Sequence, residues 1–223
     1  MDESIASMIS SVMNSITLED EQEYKKREEK QKEKEKQDAY EKSGVGKKYW
    51  NYRLSDFVAE TEEQKKCLLE VTQYIQDLQN GKVRTLWLCG NSGTGKTMLA
   101  CLIVRECGGF FCKSYQIADE IDDTRSFSSK ESKSGLIYRY SNYKLLVIDE
   151  VGKFQNGKTE IDFLFRILNE RYERELPTVI ITNMTKHDLR DYIGKPLYDR
   201  FVENCISIEF WGESYRIQKR LGE

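Results

Sequence analysis

The residues best suited to chemistry lie in one stretch, Leu86-Trp87-Leu88-Cys89-Gly90-Asn91-Ser92-Gly93-Thr94-Gly95-Lys96-Thr97, where an apolar strand runs into a glycine-rich loop and then a helix. This G-x-x-x-x-G-K-T spacing in a strand-then-helix context reads as a phosphate-binding loop. Gly90, Gly93 and Gly95, with Asn91, Ser92 and Thr94 between them, let backbone N–H groups curl around phosphate oxygens, and the helix N-terminus adds partial positive charge. Lys96 supplies a point charge for β- and γ-phosphates, Thr97 a hydroxyl for Mg²⁺, and Met98 follows in the first helical turn. A second group ends the apolar run Leu145-Leu146-Val147-Ile148. There Asp149 is placed to hold Mg²⁺ and Glu150 to polarise the water that attacks a γ-phosphate. Asn183, after Thr178-Val179-Ile180-Ile181-Thr182, is a neutral amide suited to holding the same water or phosphate.

Such groups converge only if several strands end at one place. Val83 to Cys89 reads as the first core strand, Met98 to Cys107 continues the loop helix, and Gly108-Gly109 stops it before a second strand, Phe110 to Ser114. The runs at 145–148 and 178–182 are continuously apolar, as in strands buried on both faces. Between them Thr159 to Arg174 reads as a helix burying Ile161, Leu164, Phe165 and Leu168. This alternation predicts an α/β fold with a parallel sheet flanked by helices, and ligands at the carboxyl ends of its strands. Upstream, Thr61 and Gln64 form a capping box for a helix whose apolar face is Cys67, Leu68, Val71, Ile75 and Leu78, with Gly81 to close it. The aromatics Tyr49, Trp50, Tyr52 and Phe57 either border a bound base or cap the core.

A chain of 223 residues has room for one well-buried domain and an appendage. A formal net charge of −3 with 33% charged residues argues against a generally basic nucleic-acid coat, so any such contact is local. The six cysteines show no C-x-x-C spacing and there is one histidine, His187, which argues against a zinc site. Nothing reads as a signal peptide or membrane span, and a reducing cytoplasm is the expected setting. Residues 1–18 place Ile5, Met8, Ile9, Val12, Met13 and Ile16 at helical spacing. That amphipathic helix either packs on its own domain or docks a partner protein, and its polar face lacks the cations of a membrane-surface helix. Residues 19–48 carry the run EDEQEYKKREEKQKEKEKQDAYEK, read as a charged helical or flexible spacer that holds the first helix away from an ATPase domain at 49–223.

Five motifs in order, GNSGTGKT, LLVIDEVG, VIITN, LYDRF and WGESYR, resemble the DnaC and DnaI type of replicative helicase loader, a branch of the AAA+ ATPases related to the initiator DnaA. The resemblance covers about Ser43 to Arg220. It implies an AAA+ P-loop ATPase core with no full C-terminal lid, to which the residues read above add an N-terminal helical extension, with ATP/ADP and Mg²⁺ as ligands, and ATP hydrolysis that regulates delivery of a hexameric helicase to single-stranded DNA. Carried onto these residues, it makes Asn183 sensor 1, Arg200 an arginine finger acting in trans across a self-assembled spiral, and Arg216 the sensor 2 arginine. Gln116 to Tyr140 matches the place where the family inserts an extra helical element. Arg125, Phe127, Lys130, Lys133 and Arg139, with Lys158 further on, suit single-strand contact or simply form a solvated loop. Many such loaders have a larger N-terminal helicase-binding domain. Here residues 1–18 are the expected helicase contact. IstB-type transposition helpers share a similar core, and a nucleotide-responsive adaptor with negligible hydrolysis is a third reading, against which Glu150 stands.

Overall fold

A computed structural model describes residues 3–82, 85–126, 131–153 and 157–215, with the side chains at 3–7, 9–21, 157 and 158 outside the described set. It divides into two units, residues 1–39 and 40–223. The first is helical throughout its described length, as part of α1 (Glu3–Glu41). Its exposed charges pair one turn apart, Arg27 with Glu23 at 2.6 Å and Lys32 with Glu28 at 2.5 Å. Such i,i+4 pairs support a helix that has no core of its own.

The second unit starts at Tyr40, nine residues before the expected boundary. Tyr40 and Val45 are buried, the Arg105 guanidinium lies 4.9 Å from the Tyr40 ring centre, and the Ser43 carbonyl accepts from Phe111 N at 2.7 Å. Two apolar residues at the end of a charged run thus belong to the core, and the backbone beside them covers a sheet edge that would otherwise be unpaired.

That sheet has five parallel strands, β1 (Thr85–Gly90), β2 (Phe110–Lys113), β3 (Leu146–Val151), β4 (Thr178–Thr182) and β5 (Cys205–Phe210), in the order β2-β3-β4-β1-β5. The expected α/β architecture is present. Alternate residues of each central strand serve opposite faces. Leu86, Leu88, Val147, Val179 and Ile181 pack with α2 (Glu62–Gln79) and α3 (Lys96–Cys107). Trp87, Cys89, Leu146, Ile148 and Ile180 pack with α4 (Ser114–Asp123), α5 (Lys133–Ser141), α6 (Gly157–Glu173), α7 (Lys186–Ile193) and α8 (Lys195–Val202). The capping box of α2 forms as expected, Gln64 N donating to Thr61 Oγ1 at 3.2 Å and Thr61 N to Gln64 Oε1 at 2.9 Å. Strand β5 was not expected, because Cys205-Ile206-Ser207-Ile208-Glu209-Phe210 alternates where a buried strand runs apolar. The four buried cysteines and the two half-buried ones, Cys107 and Cys205, are free thiols, and burial pushes Cys67, Cys89 and Cys107 up to about 11. No helix among the described residues is long and apolar enough to cross a membrane.

Helix α6 corrects one expectation. Phe165 is 45% exposed, whereas the buried stripe is Glu160, Phe163, Leu164, Ile167, Leu168 and Arg171, at three- and four-residue steps. The stripe begins and ends on a charge. At its far end Arg171 donates through Nε to Thr178 Oγ1 at 2.8 Å and through its Nη atoms to the carbonyls of Tyr143 at 2.7 Å, Ser141 at 3.2 Å, Tyr140 at 3.3 Å and Pro177 at 2.6 Å. Burial lowers its pKa to about 10, and the guanidinium ties together the two loops that lead into β3 and β4. Arg171→Met leaves those carbonyls without their donor, each such loss costing about 1–3 kcal/mol. A total destabilisation of about 3 kcal/mol or more is expected in denaturant unfolding, and a change below about 1 kcal/mol would show that water replaces the guanidinium.

Candidate nucleotide site

The carboxyl ends of β1, β3 and β4 open into a cleft of about 770 Å³, where a parallel sheet is expected to bind ligands. Its floor is the loop between β1 and α3. Gly95 caps α3 at φ +100, and Lys96, the first helical residue, is buried with Nζ donating to Gly90 O at 2.7 Å and Asn91 O at 2.5 Å. Gly90 itself sits at φ +124, and a Cβ there would lie 2.2 Å from Phe210 O, so only glycine lets β1 turn this close to β5. Ser92, Gly93, Thr97 and Met98 also line the cleft. Thr94 faces inward and donates to Asn91 O at 2.9 Å.

The loop is held from the side by the chain leaving β5. Asn91 donates through N to Phe210 O at 2.8 Å and through Nδ2 to Trp211 O at 2.8 Å, and Tyr215 N donates to Gly93 O at 3.1 Å. The Tyr215 hydroxyl bonds Val58 O and, at 3.1 Å, Gln64 Oε1. Asn91 is therefore a scaffold of the loop. Tyr215 was missed as a site residue, since its role depends on β5 running beside β1.

At the end of β3 the pairing with β4 is regular to Ile148–Ile180 and then shifts, resuming at Val151–Thr182. Glu150 lies inside this irregularity at φ +62, one of two non-glycine residues with positive φ among those described. In a regular strand consecutive side chains point to opposite faces. The break lets Asp149 and Glu150 line the same cleft. Asp149 is buried, accepts from Thr97 Oγ1 at 2.9 Å and from Glu150 N at 2.7 Å, and burial raises its pKa while those two bonds oppose the rise. A hydroxyl and a carboxylate side by side are the hard oxygen donors that fit Mg²⁺. Glu150 faces two cations, Lys113 at 3.6 Å and Lys153 at 3.4 Å. Neither lysine was expected, although Lys113 ends β2 in register with Asp149.

Of the other expected residues, Asn183 lines the cleft beside Thr182. Tyr49, Tyr52 and Phe57 line it too, whereas Trp50 donates to Val45 O at 2.9 Å and packs on the core. Arg200 lies on α8 outside this cleft, bonded to Asn169 Oδ1 and 3.8 Å from Glu173. Arg125, Lys133 and Arg139 are ion-paired with Asp122, Asp162 and Glu120. Phe127, Lys130, Arg216 and the Lys158 side chain lie outside the described residues.

A family model described as IstB-like ATP binding protein matches residues 5–222. The chain belongs to the IstB-like ATP-binding family. It is 28% identical to the replicative helicase loader DnaC of Escherichia coli (strain K12) over 185 residues, covering 81% of this chain and 75% of that one. It is 27% identical to the insertion sequence IS232 putative ATP-binding protein of Bacillus thuringiensis subsp. berliner over 139 residues, covering 58% and 54%. Among solved structures, the DnaC helicase loader matches with a TM-score of 0.65 at 19% identity over 74% of this chain and 99% of that chain. Replication initiator DnaA bound to AMPPCP and single-stranded DNA matches with a TM-score of 0.63 at 20% identity over 80% and 56%. The AAA+ core fold is thus shared with both, and the cleft lies in the IstB-like family's ATP-binding domain.

Lys96→Ala is expected to abolish ATP binding in a titration with a fluorescent analogue, because it removes the buried cation from the phosphate loop. Glu150→Gln is expected to keep the affinity within about threefold, since this side chain contributes little to holding phosphate. Equal losses in the two variants would contradict the separate roles.

Proposed function

We propose that this IstB-like protein is an ATP-dependent helicase loader, which binds and hydrolyses ATP to regulate delivery of a hexameric replicative helicase to single-stranded DNA. The observation that carries the reading is the identity to DnaC over 81% of the chain, joined to a cleft in which the phosphate loop and the carboxylate pair converge. In this reading the loop N–H groups and Lys96 hold the phosphates, and Thr97 and Asp149 hold Mg²⁺. When bound, Mg²⁺ neutralises charge on the β- and γ-phosphate oxygens. Glu150 accepts a proton from the attacking water once it is released from Lys113 and Lys153, and Asn183 orients that water. Tyr49, Tyr52 and Phe57 offer apolar surface for the base.

Arg200 acts in trans on the γ-phosphate of a neighbouring copy, and Arg216 acts on the nucleotide of its own chain. In support, Arg200 is nearly half exposed and points to no part of its own cleft, and its contacts with Asn169 and Glu173 are surface interactions of small net worth. Residues 1–18 dock the helicase through Ile5, Met8, Ile9, Val12 and Ile16, and Met8 is 71% exposed. Single-stranded DNA is met by Phe127, Lys130 and Lys158.

A second reading, as the ATP-binding helper of a transposase, is favoured by the match to the IS232 protein, though over 58% of the chain. Titration of the full-length protein against the host replicative helicase and against a transposase separates the two. Deleting residues 1–18 is expected to abolish helicase binding while ATP binding persists, since each apolar anchor is worth roughly 1.5–3 kcal/mol when buried. Equal helicase affinity of both chains would refute the docking helix. Arg200→Ala and Lys96→Ala chains, each inactive alone, are expected to regain ATP turnover when mixed, because one interface then holds an intact site and an intact finger. Mixed oligomers without turnover would place Arg200 outside that role.

A further inference from the structure

The buried stripe of α6 begins with Glu160, which is fully buried and lies one turn into the helix after the β3 bend. A buried carboxylate persists only when donors occupy its lone-pair sites. Three donors from three elements occupy three of about four such sites, with both oxygens engaged. Oε1 accepts from Gly152 N at 3.1 Å and from Ser114 Oγ, and Oε2 accepts from the Tyr192 hydroxyl. Burial and this carboxylate together raise the Tyr192 phenol, so it stays a donor.

Two of these contacts lead to the surroundings of Glu150, and the third anchors the carboxylate from another helix. Gly152 lies two residues beyond Glu150, Ser114 follows Lys113, which faces the Glu150 carboxylate at 3.6 Å, and Tyr192 belongs to α7. The left-handed conformation of Glu150 is unfavourable for a non-glycine residue and persists only if its surroundings over-determine it. The peptide groups around it are tied off one after another. Glu150 N donates to Asp149 Oδ1 at 2.7 Å, Val151 O accepts from Thr182 Oγ1 at 2.9 Å, Gly152 N donates to Glu160, and Lys153 N donates to Glu150 O at 3.2 Å. Of these partners, Glu160 is the one that reaches the bend from another layer of the fold and is itself anchored at both oxygens.

We infer that Glu160 is a positioning residue for ATP hydrolysis: it clamps the Gly152 N–H, with Tyr192 and Ser114 fixing its carboxylate, and so holds the Glu150 side chain toward the attacking water. This rests on the proposed hydrolytic role of Glu150. Glu160 does not line the cleft, so its effect reaches Glu150 through the bend at Gly152 and through Ser114, the neighbour of Lys113.

The test measures ATP turnover by phosphate release and ATP affinity by titration in the full chain, for Glu160→Met, Glu160→Gln, Tyr192→Phe and Glu150→Gln. Glu160→Met is expected to lower kcat by about 30-fold or more with the ATP dissociation constant within about threefold, the split a bend-specific defect produces. Glu160→Gln retains an oxygen for Gly152 N–H and Ser114 and offers its amide to the Tyr192 oxygen, so turnover within about fivefold of the parent is expected. Tyr192→Phe removes one hydroxyl from a half-buried ring and keeps the fold if Glu160→Met does not. It is expected to lower kcat by about three- to tenfold with affinity unchanged. Parental turnover in Tyr192→Phe and Glu160→Met, equal loss in Glu160→Met and Glu160→Gln, or a joint loss of affinity and turnover in all three would overturn the inference. Parental turnover in Glu150→Gln would instead overturn the hydrolytic reading itself, so the two failures are told apart.

Discussion

The site depends on one interruption in the sheet, the loss of register between β3 and β4 after Ile148. Alternation along a strand would send Asp149 and Glu150 to opposite faces, one to the nucleotide cleft and one toward the helices. By inserting Glu150 at φ +62, the chain brings both carboxylates to the cleft, at a conformational cost of about 1–3 kcal/mol. The rest of the local structure is arranged to hold that conformation. Thr182 serves the bend from β4 and Asp149 from the preceding residue, with Glu160 reaching it from α6.

Two charged ends of one helix stripe divide the work of fixing β3. Arg171 gathers the carbonyls that precede β3 and β4, at the end of the sheet away from the cleft, and Glu160 gathers donors at the cleft end. Helix α6 thereby sets both ends of the strand that carries the carboxylates. The phosphate loop is fixed differently, by close approach. Gly90 and Asn91 lie against the end of β5 and the chain leaving it, so the position of the loop is linked to the segment that carries Tyr215.

The parts legible in the sequence are those whose signal is local. The glycine and lysine spacing of the phosphate loop, the continuous apolar runs of β3 and β4, and the Thr61–Gln64 cap each need only neighbours in the chain. The parts not legible depend on partners far along it. Glu160 meets Ser114 and Tyr192 from positions 46 and 32 residues away, and Arg171 meets Tyr140 from 31 away. In sequence both look like ordinary charges on an amphipathic helix, which is also why Phe165 was placed inside instead of the neighbouring Phe163. Strand β5 was hidden by its alternating pattern. Tyr40 and Val45 were hidden by the charged run before them, which dominates the local composition.

ATP binding is a property of the family, and the proposed loader activity would couple the ATP cleft to delivery of a helicase. The two are connected most directly by measuring how much host replicative helicase becomes stably bound to single-stranded DNA, with this protein present, with and without ATP. The account predicts an ATP-dependent gain of helicase on the DNA that disappears with Lys96→Ala. The same amount of helicase on the DNA whether or not this protein and ATP are present would contradict it.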